Sequence, residues 1–166
     1  MLKGLPPVVS PATRLLVLGS FPGAASLAAR QYYAHPRNQF WPIVTTLLAT
    51  DPEAVMALDY AGRCAWLLQV GLGLWDVYAS CEREGSLDSA IRNARINDFS
   101  ALRQRCPQLL AIAHNGHESF RHARHTAVLG VPTVRLPSTS PANASLSVGE
   151  KLAMWRDFFV VGGVLT

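Results

Sequence analysis

Lysine is nearly missing from this chain. Of fifteen basic residues thirteen are arginine, and only Lys3 and Lys151, near the two ends, carry a side-chain amine. Arginine stays charged and grips phosphate bidentately, but it cannot act as an amine nucleophile. A Schiff-base mechanism would therefore have to use a near-terminal lysine or the α-amino group. Cysteine is scarce as well: Cys64, Cys81 and Cys106 are widely spaced and odd in number. They form neither a disulfide framework nor a zinc or iron–sulfur pattern, so reduced thiols, buried or partly buried, are expected. No apolar run reaches the roughly 18 residues of a membrane span, and Met1–Pro7 lacks the apolar segment of a signal peptide. A cytoplasmic location with no membrane partner is the expectation. Charged residues are few, 16% against 49% hydrophobic, which argues against disorder. The net charge of +4 permits an anionic partner without demanding one.

What is present reads as one domain over residues 1–166, long enough to bury a core without metal or disulfide support. Residues 14–19 form a short apolar run ending in Gly and predict a buried strand; Gly73–Tyr78, Leu109–Ala113 and Val131–Leu136 predict three more. Helices are predicted from Asn38 to about Ala49, over Pro52–Gly62, Cys64–Val70, Asp88–Ile91, Asp98–Arg105 and Glu118–Ala127, and after a Ser147/Glu150 capping box. Strands alternating with helices imply an α/β fold: three layers, α/β/α, around a central, mostly parallel four-stranded sheet.

In such a sheet the strand ends that carry turn residues lie along one edge, where open α/β sheets bind ligands. Three segments qualify: Gly19-Ser-Phe-Pro-Gly23, His114-Asn115-Gly116, and Leu136-Pro-Ser-Thr-Ser-Pro-Ala-Asn-Ala144. The first is followed by Tyr33-Ala-His-Pro-Arg-Asn-Gln-Phe-Trp41, which sets aromatics beside His35, Arg37 and Asn38. Flat rings and amides together suit a nucleobase better than a phosphate or a peptide. Phe40 and Trp41, at a helix start, are expected in the core. Asp76 is the one strand-embedded carboxylate; it rivals Asn38 for a catalytic role but is expected to anchor a loop or an arginine, because buried acids need partners.

These segments, with Gly73-Leu-Trp-Asp76 and the Ser80–Asp88 stretch, resemble the uracil-DNA glycosylase superfamily, and within it the DNA-deoxyinosine (hypoxanthine-DNA) glycosylase branch. The order of segments runs through nearly the whole chain, and the two longest are specific in combination. The resemblance implies an enzyme, a monofunctional DNA glycosylase without metal or cofactor. It would flip a deaminated base out of DNA and hydrolyse the glycosidic bond. Hypoxanthine is the expected base, with uracil or xanthine as further candidates. Two departures stand out. The carboxylate or amide usual in the superfamily's first turn is absent from Gly19–Gly23. His114 stands where relatives often carry an aromatic.

By the resemblance the catalytic amide is Asn38, holding a water against C1′, and Tyr33 stacks on the flipped base. Asn115 could accept from a ring N–H and donate to the adjacent carbonyl, the lactam pattern of uracil and hypoxanthine. That reading requires a lock on the amide's orientation, for which His114 or His117 is available. The turn of Ser20, Phe21 and Gly23 offers backbone donors to the base. Ser138, Thr139, Ser140, Pro141 and Asn143 are expected to meet the DNA, with His35, Arg37 and His114 in support. Arg121, Arg124 and Arg135 with His122 and His125 form either a phosphate-attracting face or a solvated helix surface. A monomer acting on DNA is expected. The alternatives are a uracil- or mismatch-directed member of the same superfamily, a catalytically silent nucleic-acid-binding module, and a hydrolase of free nucleosides.

Overall fold

The computed structural model describes residues 1–165. In chain order its strands are β1 (Leu2–Lys3), β2 (Leu15–Gly19), β3 (Leu72–Asp76), β4 (Tyr78–Glu82), β5 (Arg92–Ile96), β6 (Ala111–Asn115) and β7 (Thr133–Leu136). The helices are α1 (Ala24–Ala29), α2 (Phe40–Leu48), α3 (Pro52–Met56), α4 (Tyr60–Gln69), α5 (Leu102–Arg105), α6 (His117–Phe120), α7 (Ala123–Thr126) and α8 (Val148–Val161). Strands β3-β2-β6-β7 form a four-stranded sheet in which every pairing is parallel. The predicted α/β layering is therefore present.

Both faces of β2 are buried, and its side chains divide by the two-residue period of a strand. Leu15 and Val17 pack with Phe40, Trp41, Ile43, Leu67, Trp155 and Phe159 from α2, α4 and α8. Leu16 and Leu18 face Val77, Cys81, Leu102, Ile112 and Leu129 on the other side. The expected core placement of Phe40 and Trp41 holds.

A second sheet, β1-β4-β5, is antiparallel and has no clear signal in the sequence. Its strand β5 reads Arg-Asn-Ala-Arg-Ile and is largely exposed, so it carries no hydrophobic alternation. The predicted strand Gly73–Tyr78 is in fact two strands meeting at Val77, whose N–H donates to Gly19 O and whose carbonyl accepts the N–H of Asn97. The predicted helix Glu118–Ala127 breaks at His122 into α6 and α7, followed by a 3-10 turn. Helix α1 is an addition to the expected elements, and Asp88–Ile91 is a 3-10 turn at Asp88–Ala90. The boundary between α3 and α4 falls at Asp59, whose carboxylate caps Gly62 N–H, rather than at Gly62 itself. The Ser147/Glu150 capping box is present at the start of α8.

Candidate active site

The carboxyl ends of β2, β3, β6 and β7 open into one cleft of about 620 Å³. Its walls come from the Gly19–Gly23 turn, Tyr33, His35 and Asn38, Asp76, the Ser86–Ser89 segment, Asn115–Glu118, and the loop from Leu136 through Leu146. Of the residues singled out from sequence, the fold brings Ser20, Phe21, Gly23, Tyr33, His35, Asn38, Asn115, Ser138, Thr139, Ser140, Pro141 and Asn143 to this cleft. Two it does not. Arg37 is exposed and its side chain lies outside the cleft wall.

His114 is the larger correction. Adjacent strand residues point to opposite faces, so with Asn115 in the cleft His114 lies behind the sheet. It is fully buried, with Nδ1 at 2.8 Å from Ser119 Oγ and Nε2 at 2.9 Å from Thr126 Oγ1. Burial pulls its pKa down to about 4, so the ring is neutral and both nitrogens are engaged.

The lock on Asn115 comes instead from Thr139. The N–H of Thr139 donates to Asn115 Oδ1 at 3.0 Å, which fixes which end of the amide is oxygen. Asn115 Nδ2 then donates to Thr139 Oγ1 at 3.0 Å and to Tyr33 Oη at 3.2 Å. The amide thus ties β6, the Leu136–Leu146 segment and Tyr33 together, and its donor hydrogens are spent. One lone pair of Oδ1 remains for a ligand. Gly116 has φ of +98° and a Cβ there would lie 3.1 Å from Ser138 Cβ, so only glycine lets the loop approach this closely.

That loop is pinned from below. Lys151, fully buried, donates to Asn143 O and to Gln39 Oε1, both at 2.9 Å, and Gln39 N–H donates to Thr139 O at 2.9 Å. Trp155 Nε1 donates to Pro137 O at 3.2 Å. The amine of Lys151 holds structure, and burial lowers its pKa.

Tyr33 takes φ of +58°, an uncommon left-handed conformation for an aromatic residue, and its ring stacks on Phe40 with centroids 4.1 Å apart. Asn38 accepts the N–H of Phe40 on Oδ1 at 2.9 Å, which orients its amide at the start of α2. The cap of α2 is Gln39, not Asn38, and this local bond does not exhaust the Asn38 amide: Oδ1 keeps a second lone pair and Nδ2 is unspent.

Asp76 departs from expectation. It is buried at the end of β3, its side chain bonds neither a loop nor an arginine, and Oδ2 has no hydrogen-bond partner among the described residues. A Cβ on Gly19 would sit 2.5 Å from Asp76 Oδ1 and 3.5 Å from Tyr33 Oη, so the missing side chain leaves the carboxyl room beneath the turn. Burial first, and the charge of Asp88 second, push its pKa up to about 7 against the opposing pull of Arg83. The signal available in sequence is the lone acid in an apolar strand; its lack of a partner is not readable there.

The Ser80–Asp88 stretch contributes more than expected. Asp88 Oδ1 accepts from Ser20 Oγ at 2.6 Å and Ser86 Oγ accepts the Ala24 N–H at 2.9 Å. The hydroxyl of Ser20 is therefore a tether for this segment. Among the described residues no group of three or more His, Cys, Asp or Glu is placed to hold a metal ion. On the outer side, Tyr78 Oη donates to Glu118 Oε1 at 2.6 Å, and Arg121 pairs with Glu118 at 2.9 Å. Arg121 is thus partly neutralised, while Arg124 is exposed and His125 half-buried.

A parallel sheet with a polar, aromatic-walled cleft at its strand ends defines a ligand-binding α/β protein of the kind that takes a planar group. The family model described as the uracil DNA glycosylase superfamily matches residues 6–159. The chain belongs to that superfamily. It is 34% identical to a protein named hypoxanthine DNA glycosylase from Methanosarcina barkeri (strain Fusaro / DSM 804), with 95% of this chain and 97% of the relative covered. It is 37% identical to one of the same name from Methanosarcina acetivorans, with the same coverage. A solution NMR structure from Methanosarcina acetivorans, described as a candidate uracil DNA glycosylase, superposes with a TM-score of 0.80 at 35% identity. It covers 93% of this chain and 96% of its own. Among the described residues no helix is long and apolar enough to cross a membrane.

Proposed function

We propose that this chain is a DNA glycosylase that excises deaminated bases, hypoxanthine foremost, acting as a single-domain, cytoplasmic monomer. The observation that carries the reading is the convergence of Asn38, Tyr33, Asn115 and Asp76 on one cleft at the strand ends, in a chain similar end to end to proteins named for that activity. Asn38 holds the attacking water through the second lone pair of Oδ1. A neutral amide orients the water and faces the developing oxocarbenium charge but does not take up its proton as a full general base does, a role worth about 10²–10⁴-fold. The chemistry is accordingly slower than with a carboxylate at that place.

Tyr33 presents a ring backed by Phe40, a rigid platform for a flipped base at about 1–3 kcal/mol per stacked base. Asp76 offers the free acceptor on the floor. Its carboxylate accepts the ring N–H of the lactam, while Asn115, its donors spent, shapes the wall. The Ser138–Asn143 loop meets the phosphates. Binding to DNA weakens steeply with salt, whereas action on free nucleosides would not.

The test is release of free base from duplexes carrying inosine, uracil, xanthine or a thymine mismatch, with Asn38→Ala beside wild type. Release of hypoxanthine above all others, falling at least about 10²-fold in Asn38→Ala, is expected. DNA binding with no abasic product from any lesion would leave only the binding-module reading.

A further inference from the structure

Charge is spread unevenly along this chain. The first fifty residues carry Lys3, Arg14, Arg30 and Arg37 and no acid, while the rest holds eleven side chains of each sign. The whole net charge of +4 therefore belongs to the part that builds β2, α1, α2 and the Tyr33–Asn38 wall of the cleft. The cleft itself is a poor place for an anion. Asp76, Asp88 and Glu118 line it, against Arg135 as its one arginine.

Behind that wall lies a second cavity of about 220 Å³, bounded by the Gln31–Asn38 segment and by Trp41, Met56, Tyr60 and Arg63. Tyr32, Tyr33, His35 and Asn38 line both spaces, so one layer of chain separates the two. No acid is in its lining, and Arg63, half-buried on α4, is its one arginine. Arg63 Nη2 donates to Met56 O at 2.6 Å, and the guanidinium carbon lies 5.8 Å from the centre of the Trp41 ring, so the group is held in place. No carboxylate pairs with it; among the described residues the single ion pair is Arg121 with Glu118. Its Nε has no hydrogen-bond partner there, and Nη1 is uncommitted. A fixed cation partly out of water and without a counter-charge carries a desolvation cost that an arriving anion offsets. His35 adds a donor: Nδ1 accepts the Arg37 N–H at 3.0 Å, so the neutral ring carries its proton on Nε2.

We propose that this second cavity is a phosphate subsite, in which Arg63 holds a backbone phosphate next to the flipped nucleotide while Arg30 and Arg37 carry the strand onward over the acid-free part of the chain. The assignment rests on the base-excising activity proposed above. The sugar whose C1′ faces Asn38 is bonded to a phosphate on each side, so a phosphate lies one backbone step from the reaction. The loop after β7 meets one of the two, and the cavity behind Asn38 takes the other. A guanidinium suits this ligand because it stays charged and directs N–H donors at phosphate oxygens. Holding that phosphate fixes the sugar over Asn38, so the contact raises the rate of excision as well as affinity. Arg30 and Arg37 are exposed and contribute to affinity, in proportion to the counterions they release.

The test replaces the phosphate on either side of the deoxyinosine, one at a time, by a neutral methylphosphonate. Single-turnover excision of hypoxanthine is then measured for wild type, Arg63→Gln and Arg63→Lys. In wild type one of the two replacements should slow excision about ten-fold or more. In Arg63→Gln the same replacement should change little, because the cation it would deprive is already gone. Arg63→Lys, which keeps the charge and an apolar stem against Trp41, should keep most of the loss. Each ratio is taken within one protein, so a smaller folded fraction of a variant cancels. Equal ratios in wild type and Arg63→Gln at both positions would overturn the subsite, as would a wild type indifferent to both replacements. Arg30→Gln and Arg37→Gln should each flatten the slope of log affinity against log salt by about 1; unchanged slopes would overturn the path. Absence of excision by wild type from the unmodified oligonucleotide would overturn the activity instead, and the same ratios taken on affinity would then decide the subsite.

Discussion

His114 and Asp76 end neighbouring levels of the same parallel sheet, and both are buried, yet their surroundings are opposite. His114 finds a hydroxyl at each ring nitrogen, Ser119 at 2.8 Å and Thr126 at 2.9 Å. Asp76 lies on the cleft side with Oδ2 unpartnered. A buried polar group that is fully satisfied stabilises its fold, whereas one left unsatisfied costs free energy that a ligand can recover. The first group is therefore structural, and the second is the one the proposed function holds ready for the base.

Removing each side chain should separate the two roles. His114→Ala should give the largest change in stability, a loss of about 2–4 kcal/mol, because it opens a cavity and removes one of the two partners of each buried hydroxyl, which keep only Leu18 O and Ala123 O. Excision per folded molecule should stay near wild type. Denaturant unfolding and activity titrated against folded protein check this; an activity loss without a stability loss would reverse the comparison.

Asp76→Asn should act in the other direction and more weakly. The folded pKa of about 7 lies above the ordinary carboxylate range, so the native state holds its proton more tightly than the unfolded chain. The cost of the buried carboxylate is absent below the unfolded pKa of about 4, grows between there and about 7, and is complete above. The amide variant should therefore melt a few degrees higher than wild type at pH 8 and near wild type at pH 4. Equal gains at both pH values would mean that Asp76 carries no such shift.

Much of the layout is legible in the sequence alone. The buried run Leu15–Leu18, the Ser147 capping box and the turn residues after three strands suffice to place the cleft, because hydrophobic period and turn chemistry are local signals. The second sheet is hidden for the same reason: β5 is polar and exposed, and β1 spans only Leu2–Lys3. Within the cleft, the residue types at positions 33, 38, 115 and 139 can be read, but their partners cannot. That Thr139 rather than a histidine orients Asn115 depends on a loop that folds back 24 residues later in the chain. That His114 turns away follows from strand alternation, once β6 is seen to run to Asn115. Asp76 is visible as a lone acid but is not the anchor its type suggests, since nothing local shows whether an arginine comes within reach.

Unpartnered atoms at the cleft floor are assigned to act on the base, and the pH dependence of excision tests this most directly. The second-order rate for hypoxanthine release, followed in single turnover from below pH 6 to pH 9, should rise through about 7 in wild type as Asp76 becomes a free acceptor. In Asp76→Asn the rate should be lower and the rise absent. A rise that persists unchanged in the variant would contradict the role assigned to Asp76.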